Sequence, residues 1–335
     1  MDLGIRGTLA FLLSLSLVLA LGWPTIALLR VRGLGGSVRE DTPKTHQRKK
    51  GTPSMGGVLL VPAAAVAIIA TSGLEPTALG TAGFMLAFAF LGAADDLLKA
   101  TRPSRRGLMA RTKLLAQIGL SFGVVAFAVQ VLGNPGRVGA LPGREPLEIG
   151  AAAVVLWMLY VLWMSNAVNI TDGLDGLASG LTVTVAAALL IGGVLAGKTA
   201  AVTCSAALLG ACLGFLRFNR RPAHVIMGDT GALGLGGGLA ALAVFTSDEW
   251  VLLAAGLPFT IELLSVVIQV AYFQATKRLY HLKEGRRVFR KSPLHHHFEE
   301  GGAGEREVVL GFWLAGTLCS ALTVAVLVWE RGPLW

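Results

Sequence analysis

The chain has 335 residues, of which 54% are hydrophobic and only 15% are charged, and its mean hydropathy is +0.66. These values exclude an ordinary water-soluble domain, in which about a quarter of the residues are charged. The net charge of +9 does not indicate a nucleic-acid partner, because membrane proteins concentrate basic residues in their cytoplasmic loops.

Uncharged apolar runs long enough to cross a bilayer as helices recur along the whole chain. Nine such runs cover residues 7–29, 51–74, 76–94, 114–136, 149–171, 176–197, 199–216, 230–247 and 308–329. A tenth, 250–276, is interrupted only by Glu262, which we expect to face protein rather than lipid. None of the runs alternates as a membrane β-strand does. We predict an all-α polytopic membrane protein of about ten transmembrane helices, forming a single domain over residues 1–335.

The basic residues are distributed unequally between the two sides of the predicted bundle. With ten spans, the loops at 30–50, 99–113, 217–221 and 277–306 fall on one side, and they carry 24 of the 29 Lys and Arg residues. Loops enriched in Lys and Arg stay in the cytoplasm. We therefore expect these loops to be cytoplasmic and both termini to be external, on the periplasmic side.

Five carboxylates lie at the cytoplasmic edges of the predicted spans: Asp95, Asp96, Asp172, Asp175 and Asp229. Each has a simple structural alternative, as an interfacial helix end with Lys99 as a partner, a turn residue or a helix cap. Adjacent carboxylates repel, however, and this favours binding of a proton or a cation. An Asp at a helix N-terminus is also well placed to hold a metal that bridges to phosphate. We interpret Asp95, Asp96 and Asp229 as candidates for a general base or for a Mg²⁺ site beside a phosphate group. We interpret Asp172 and Asp175 as part of a loop that hydrogen-bonds a polar ligand.

Other loops on the same side contribute basic and imidazole groups. Lys49 and Thr52 adjoin the second run, Lys113 precedes the fourth, and residues 295–297 are three consecutive His residues. Topology alone accounts for many of the basic residues, and three consecutive His residues cannot all face one metal ion on a helix. Acids for Mg²⁺, cations for phosphate charge and a positioned base are nevertheless what phosphoryl transfer requires. We predict one composite active site on the cytoplasmic face.

Six motifs, in order, carry a resemblance to a known enzyme family. They are DTPKTH, KKGTPSMGG, DD, NITDGLDGLA, MGDTG and PLHHHFE. The chain resembles the bacterial phospho-N-acetylmuramoyl-pentapeptide transferases, within the superfamily of polyprenyl-phosphate N-acetylhexosamine-1-phosphate transferases, over nearly its whole length. The resemblance implies transfer of phospho-MurNAc-pentapeptide from UDP-MurNAc-pentapeptide to undecaprenyl phosphate, with Mg²⁺ as cofactor, at the bacterial cytoplasmic (inner) membrane. It also implies a homodimer.

The resemblance further implies roles for individual residues. The catalytic residues would be Asp95, Asp96, Asp229 and His295, with Asp95 deprotonating the lipid phosphate and Asp229 binding Mg²⁺. The substrate-binding residues would be Lys49, Thr52, Lys113, Asn169, Asp172, Asp175, Asn219, Gln269, His296 and His297.

Three alternatives remain open at this point. A sister transferase would use UDP-GlcNAc as the donor, although the three consecutive His residues disfavour it. A secondary transporter would need ionisable residues near the middle of the membrane, and Glu262 is the one clear example. A non-enzymatic scaffold would not require carboxylates to converge from several loops.

Overall fold

The computed structural model describes residues 2–33, 51–101, 107–139 and 147–331. The helices are α1 (Leu3–Val31), α2 (Gly57–Thr71), α3 (Pro76–Thr101), α4 (Ala110–Gln130), α5 (Ala152–Thr171), α6 (Leu177–Ala196), α7 (Thr199–Asn219), α8 (Gly228–Thr246), α9 (Glu249–Ala255), α10 (Leu257–Leu279), α11 (Leu294–Glu300) and α12 (Glu305–Arg331). Two short strands, β1 (Arg137–Val138) and β2 (Leu147–Glu148), form an antiparallel pair between α4 and α5.

Nine helices in the described ranges are long and apolar enough to cross a bilayer. They are α1, α3 to α8, α10 and α12, and they confirm the prediction of an all-α polytopic membrane protein. Helix α2 is apolar but has only 15 residues, about 22 Å at 1.5 Å per residue. It is shorter than the roughly 30 Å of bilayer hydrocarbon, so the second predicted run forms a shorter helix than expected.

Helix α8 lies at the centre of the bundle, and all residues from 230 to 244 are buried. It packs against α2, α3 and α5. The α3 residue Phe88 occupies the space where a side chain on Gly237 would lie, so the two helices approach more closely than larger residues would allow. This packing confirms that the glycine-rich run of α8 serves close helix contact. It also fixes the position of Asp229, in the first turn of this helix.

Three local features differ from the sequence prediction. Helix α3 continues to Thr101, so Asp95 and Asp96 lie on a helical surface and not at its end. The tenth predicted span is broken at Gly256, which separates α9 from α10. The hairpin of β1 and β2 was not expected, because its strands are only two residues long and such a length gives no detectable alternation.

Buried Glu249 holds this hairpin region against α5, at the opposite end of α8 from Asp229. Its carboxylate accepts hydrogen bonds from Trp157 Nε1 at 2.7 Å and from the Gly139 N–H at 2.9 Å. Its backbone carbonyl accepts a third from the Tyr160 hydroxyl at 3.0 Å. Burial is the largest influence on this acid and raises the pKa of Glu249 to about 7.

We therefore expect the protein to lose stability as pH rises from about 4.5 to 7. The folded state retains the Glu249 proton more tightly than the unfolded chain does, so this stabilisation is present at low pH and is lost as pH rises through the folded pKa. The separation between the two pKa values corresponds to on the order of 3 kcal/mol. Thermal unfolding in detergent from pH 5 to 8.5 measures the effect. Glu249→Gln should flatten the profile, and an unchanged slope in that variant would contradict the assignment.

Candidate active site

Three carboxylates from two helices meet two lysines near one end of the bundle. Asp95 and Asp96 of α3 and Asp229 of α8 have ligand oxygens that all lie within 4.8 Å of one another. Lys99 Nζ lies 2.5 Å from Asp95 Oδ2 and 3.2 Å from Asp229 Oδ2. Lys113 of α4 forms an ion pair with Asp229 and approaches Asp95 at 3.8 Å. We call these five residues the acid–lysine cluster.

The two adjacent aspartates differ in how many of their oxygens are already engaged. Both oxygens of Asp96 accept hydrogen bonds from the start of α8: Oδ1 from the Asp229 N–H at 3.2 Å, and Oδ2 from Thr230 N at 2.9 Å and Thr230 Oγ1 at 2.7 Å. Asp96 therefore caps the N-terminus of α8 from a neighbouring helix. Asp95 accepts one backbone hydrogen bond, from Leu108 at 2.6 Å, and its other oxygen faces the lysines.

Close contact between α3 and α8 brings these acids together. Gly92 lies one turn before Asp96 on α3, and a Cβ at this position would overlap the Asp229 carbonyl and Thr230 nitrogen. Only glycine allows this approach without a shift of backbone. The sequence analysis singled out the acids but overlooked Gly92, because a single glycine in an apolar helix is common.

An amide pair aligns α4 and α5 beside the cluster. Gln117 and Asn166 exchange hydrogen bonds at 3.2 and 3.3 Å. Lys113 lies one turn before Gln117, and Asn169 lies about one turn after Asn166. Helices α4 and α5 run in opposite directions. Lys113 and Asn169 therefore lie on the same side of the amide pair, at a similar height along the two helices. The half-buried Asn169 thus extends the polar surface of the cluster.

The turn from Asp172 to Gly176 is fixed by side chains from α7 and α12. Buried Asn219 accepts hydrogen bonds from the Gly176 N–H at 3.2 Å and from Ser179 Oγ at 2.9 Å, and it donates to the Val225 carbonyl at 3.0 Å. The sequence analysis expected Asn219 to bind substrate. The structure gives its amide a positioning role for this turn, and substrate contact stays a prediction.

Asp175 and Asp172 lie in the same turn with different surroundings. Asp175 is buried, and its Oδ2 accepts a hydrogen bond from the Ala223 N–H at 3.1 Å. The Asp175 N–H donates to Glu305 at 3.2 Å. Asp172 is half-buried at the end of α5. Both acids therefore remain candidate substrate ligands on a turn that is held from three directions.

Asn219→Ala should lower stability by about 2–4 kcal/mol, because it leaves the buried Gly176 N–H and the Val225 carbonyl without a partner and leaves Ser179 Oγ only its longer hydrogen bond to the Gly176 carbonyl. Thermal unfolding of the detergent-solubilised protein measures the change. Asn134→Ala is the matched control, because Asn134 also makes three hydrogen bonds but does so in a solvent-accessible turn. Equal losses in the two variants would show that the Asn219 network contributes nothing beyond local turn formation.

A buried carboxylate that the sequence analysis left without a role orients the first of the three His residues. Glu262 of α10 pairs with His295 Nδ1 at 2.9 Å and accepts a hydrogen bond from the His295 N–H at 3.0 Å. Both side chains are fully buried. His295 Nε2 is buried without a hydrogen-bond partner in the described part of the chain. It points at Gly173, where an added Cβ would overlap it.

The other two His residues have separate partners. His296 Nδ1 pairs with Glu299 at 2.8 Å, and burial lowers the pKa of His296 below its usual value, which favours the neutral ring. His297 Nδ1 accepts a hydrogen bond from the Arg290 N–H at 3.1 Å. The three rings thus have separate hydrogen-bonding environments, although the centroids of the His295 and His296 rings lie 4.2 Å apart.

A row of polar side chains on α10 holds the segment that leads to these His residues. Glu262, Gln269 and Thr276 are spaced seven residues apart and are all buried. Gln269 Oε1 accepts hydrogen bonds from the N–H groups of residues 288 and 289 at 3.1 and 3.0 Å, and Thr276 Oγ1 accepts one from Arg286 at 2.8 Å. We call these three residues the α10 polar row. Substrate binding by Gln269 stays a prediction.

The remaining predicted residues precede α2. Half-buried Thr52 adjoins Pro53, whose carbonyl accepts a hydrogen bond from the Ile226 N–H at 2.8 Å. Ile226 lies three residues before Asp229, so Thr52 is held near the acid–lysine cluster. Lys49 lies outside the described residues.

Family models match two parts of the chain. Residues 78–247 match the model of glycosyl transferase family 4, a range that includes all five residues of the acid–lysine cluster. Residues 49–61 match signature 1 of the phospho-N-acetylmuramoyl-pentapeptide-transferases, which includes Lys49 and Thr52.

Relatives of high similarity cover nearly the entire chain. A phospho-N-acetylmuramoyl-pentapeptide-transferase of Heliobacterium modesticaldum is 41% identical over 94% of this chain and 96% of its own length. Those of Shouchella clausii and Moorella thermoacetica are 41% and 42% identical over 96% and 88% of this chain, and 98% and 90% of their own lengths. The chain therefore belongs to glycosyl transferase family 4 and, within it, to the phospho-N-acetylmuramoyl-pentapeptide-transferases.

Proposed function

We propose that this chain transfers phospho-MurNAc-pentapeptide from UDP-MurNAc-pentapeptide to undecaprenyl phosphate, giving lipid I and UMP. The names of its relatives support phospho-MurNAc-pentapeptide as the group that is transferred. The observation that carries the proposal is the acid–lysine cluster, in which three carboxylates and two lysines of α3, α4 and α8 converge near one end of the bundle. A membrane-bound phosphate can reach residues at this depth while its prenyl tail stays in hydrocarbon.

In this reaction an oxygen of the lipid phosphate forms a bond to the β-phosphorus of the donor. The bond from that phosphorus to the bridging oxygen breaks, and UMP leaves with the electron pair. Asp95 is the acceptor for the proton of the lipid phosphate, because one of its oxygens faces the cluster while the other is held by Leu108. Lys99 and Lys113 would then neutralise the charge of the phosphate groups.

The donor set of the cluster fits Mg²⁺, which prefers oxygen ligands and is usually held by one or two carboxylates together with substrate phosphates. Asp229 would hold it, because both oxygens of Asp96 are engaged by α8 and the free oxygen of Asp95 is the proposed proton acceptor. Mg²⁺ at this position supplies stabilisation of the charge on the departing phosphate. Lys99 and Lys113 each contact both Asp95 and Asp229.

The Asp172–Gly176 turn and His295 are the proposed site for the nucleotide-sugar. Asp172 and Asp175 offer acceptors for hydroxyl or amide N–H groups. His295 Nε2 is buried against Gly173, and its proposed partner is a substrate group that enters when this turn shifts. Buried polar atoms are normally paired in folded proteins, so this atom marks a place where substrate completes the hydrogen bonding.

The proposed function also defines a place in the cell. The excess of Lys and Arg on one side supports an active site on the cytoplasmic face of the bacterial inner membrane, with both termini in the periplasm. We also infer a homodimer from the family resemblance. The mass of the detergent-solubilised particle, corrected for bound detergent, gives the number of chains and tests this inference.

The transporter alternative loses its main support in the structure. Glu262 was the one clear intramembrane acid available for a coupling ion. Its two oxygens instead hold His295, so its charge is already engaged by the segment beside the Asp172–Gly176 turn. An ion-coupled mechanism would have to break this pair.

The direct test is release of UMP from UDP-MurNAc-pentapeptide by the purified protein with undecaprenyl phosphate. We expect release that requires both the lipid and Mg²⁺ and that UDP-GlcNAc cannot support. Release with UDP-GlcNAc as the better donor would identify a sister transferase. Absence of release from folded protein with either donor would reject the transfer reaction.

A further inference from the structure

Two lysines contact the same pair of carboxylate oxygens in the acid–lysine cluster. Lys99 Nζ lies 2.5 Å from Asp95 Oδ2 and 3.2 Å from Asp229 Oδ2. Lys113 approaches Asp95 Oδ2 at 3.8 Å and forms the closer ion pair with Asp229 Oδ2. The oxygen of Asp229 that contacts both ammonium groups belongs to the residue that is proposed to hold Mg²⁺.

A divalent cation on Asp229 is incompatible with both of these contacts. Mg²⁺ binds a carboxylate oxygen at about 2.1 Å, so an ammonium group on the same oxygen would lie very close to it, and like charges at such a distance repel strongly in a partly buried site. The three carboxylates of the cluster also cannot balance a divalent cation together with two ammonium groups. One lysine is therefore expected to leave Asp229 when Mg²⁺ binds.

The two lysines differ in how firmly they are held. The side chain of Lys99 is 38% exposed, whereas that of Lys113 is 19% exposed. Lys99 is also the farther of the two from Asp229 Oδ2. Its nearest partner, Asp95, lies one turn earlier on the same helix, so rotation about the side-chain bonds of Lys99 breaks both contacts without movement of a helix. Lys99 is therefore the lysine that leaves at the lower cost.

We propose that Lys99 is a mobile cation, which leaves Asp229 and Asp95 when Asp229 takes up Mg²⁺, while Lys113 stays in place. This role rests on the Mg²⁺ site of the proposed function. The movement uncovers Asp95 Oδ2, the oxygen that Leu108 does not hold and that is proposed to accept the proton of the lipid phosphate. It also frees an ammonium group for a phosphate of the substrates. Lys99 thereby links metal binding to the exposure of the base.

Acetylation of lysine side chains in the full-length protein, followed by mass spectrometry, tests this role without nucleotide or lipid substrate. Ion pairing slows the reaction, because it favours the charged and unreactive form of the amine. We expect Mg²⁺ to raise the acetylation rate of Lys99 about fivefold or more and that of Lys113 by less than about twofold, relative to NaCl of equal ionic strength. A larger rise at Lys113 than at Lys99 would overturn the proposal.

Lys198 is the matched control, because its side chain is 36% exposed and pairs with Asp248 at 2.7 Å at the other end of α8. Its acetylation rate should not respond to Mg²⁺. Equal rises at Lys198 and Lys99 would reduce the effect to screening of ion pairs by salt and overturn the proposal. In Asp229→Asn the response of Lys99 to Mg²⁺ should disappear. A response that persists in this variant would place the metal elsewhere and count equally against it.

Binding of Mn²⁺, which also accepts oxygen ligands, is measured on the same protein by electron paramagnetic resonance. Mn²⁺ binding without a change at Lys99 would reject the role of Lys99 and leave the metal site intact. Absence of Mn²⁺ binding would reject the metal site and the role of Lys99 with it. We expect Lys99→Met to bind Mn²⁺ about fivefold more tightly than the native protein, and Lys198→Met to bind it equally. Weaker binding by Lys99→Met would show that Lys99 supports the metal and does not compete with it. None of these measurements depends on UMP release.

Discussion

Asp229→Asn should reduce UMP release by about 10³-fold or more while leaving the protein folded. The substitution removes the charge that pairs with Lys113 and Lys99 and weakens a proposed Mg²⁺ ligand. It keeps an oxygen that can accept a hydrogen bond from lysine. The measurements are initial rates over a Mg²⁺ titration, together with thermal unfolding. We expect the residual activity to require a higher Mg²⁺ concentration than the native protein.

Two further variants separate a catalytic effect from a structural one. Asp248→Asn removes an acid at the other end of α8, where it pairs with Lys198 at 2.7 Å, and should retain activity. Asp96→Asn should lower the unfolding temperature more than Asp229→Asn does, because both Asp96 oxygens cap α8. If Asp229→Asn keeps full activity, Asp229 is not part of the reaction.

Glu262→Gln should lower kcat by about 10²- to 10⁴-fold, with a smaller change in KM. Glu262 accepts a hydrogen bond from the Nδ1–H of His295, which leaves Nε2, the atom that faces Gly173, without a proton in the neutral ring. Glutamine places an NH₂ group opposite Nδ1, so the proton moves to Nε2. Glutamine also cannot stabilise a protonated ring. Whether the His295 ring is neutral or protonated, the hydrogen-bonding character of the Nε2 that it presents to substrate changes.

The control for this variant is Glu300→Gln, which removes a charge from α11 at a surface pair with Lys291 that spans 3.8 Å. It should leave kcat nearly unchanged, because exposed ion pairs contribute little. Comparable unfolding temperatures for native protein and Glu262→Gln would show that the helix and loop stay assembled. A rise in KM without a fall in kcat would instead make Glu262 a determinant of binding alone.

The sequence predicted the architecture well because long apolar runs are an unambiguous signal. The nine long helices follow the predicted runs, and the glycines of α8 pack as expected. The break at Gly256 was missed because both sides of it are equally apolar. The hairpin was missed because two-residue strands leave no periodicity to detect.

The site was only partly predictable from sequence. Motifs identified Asp95, Asp229 and Lys113, and the structure brings them together. Motifs could not distinguish Asp95 from Asp96, because the difference lies in which one caps a neighbouring helix. Lys99 was considered only as a local partner of the acids, and the structure shows that it also reaches Asp229. Partners separated by many residues are set by packing and leave no local pattern.

The α10 polar row sets a limit on how this helix can vary. Its outer surface faces lipid, and substitutions among apolar residues there should be neutral. An insertion or deletion of one residue between Glu262 and Gln269 is different, because it would rotate one half of the helix by about 100° relative to the other. The three side chains of the row would then no longer all face the loop segment 286–295. For α10 the number of residues between contacts is therefore more constrained than the identity of the residues between them.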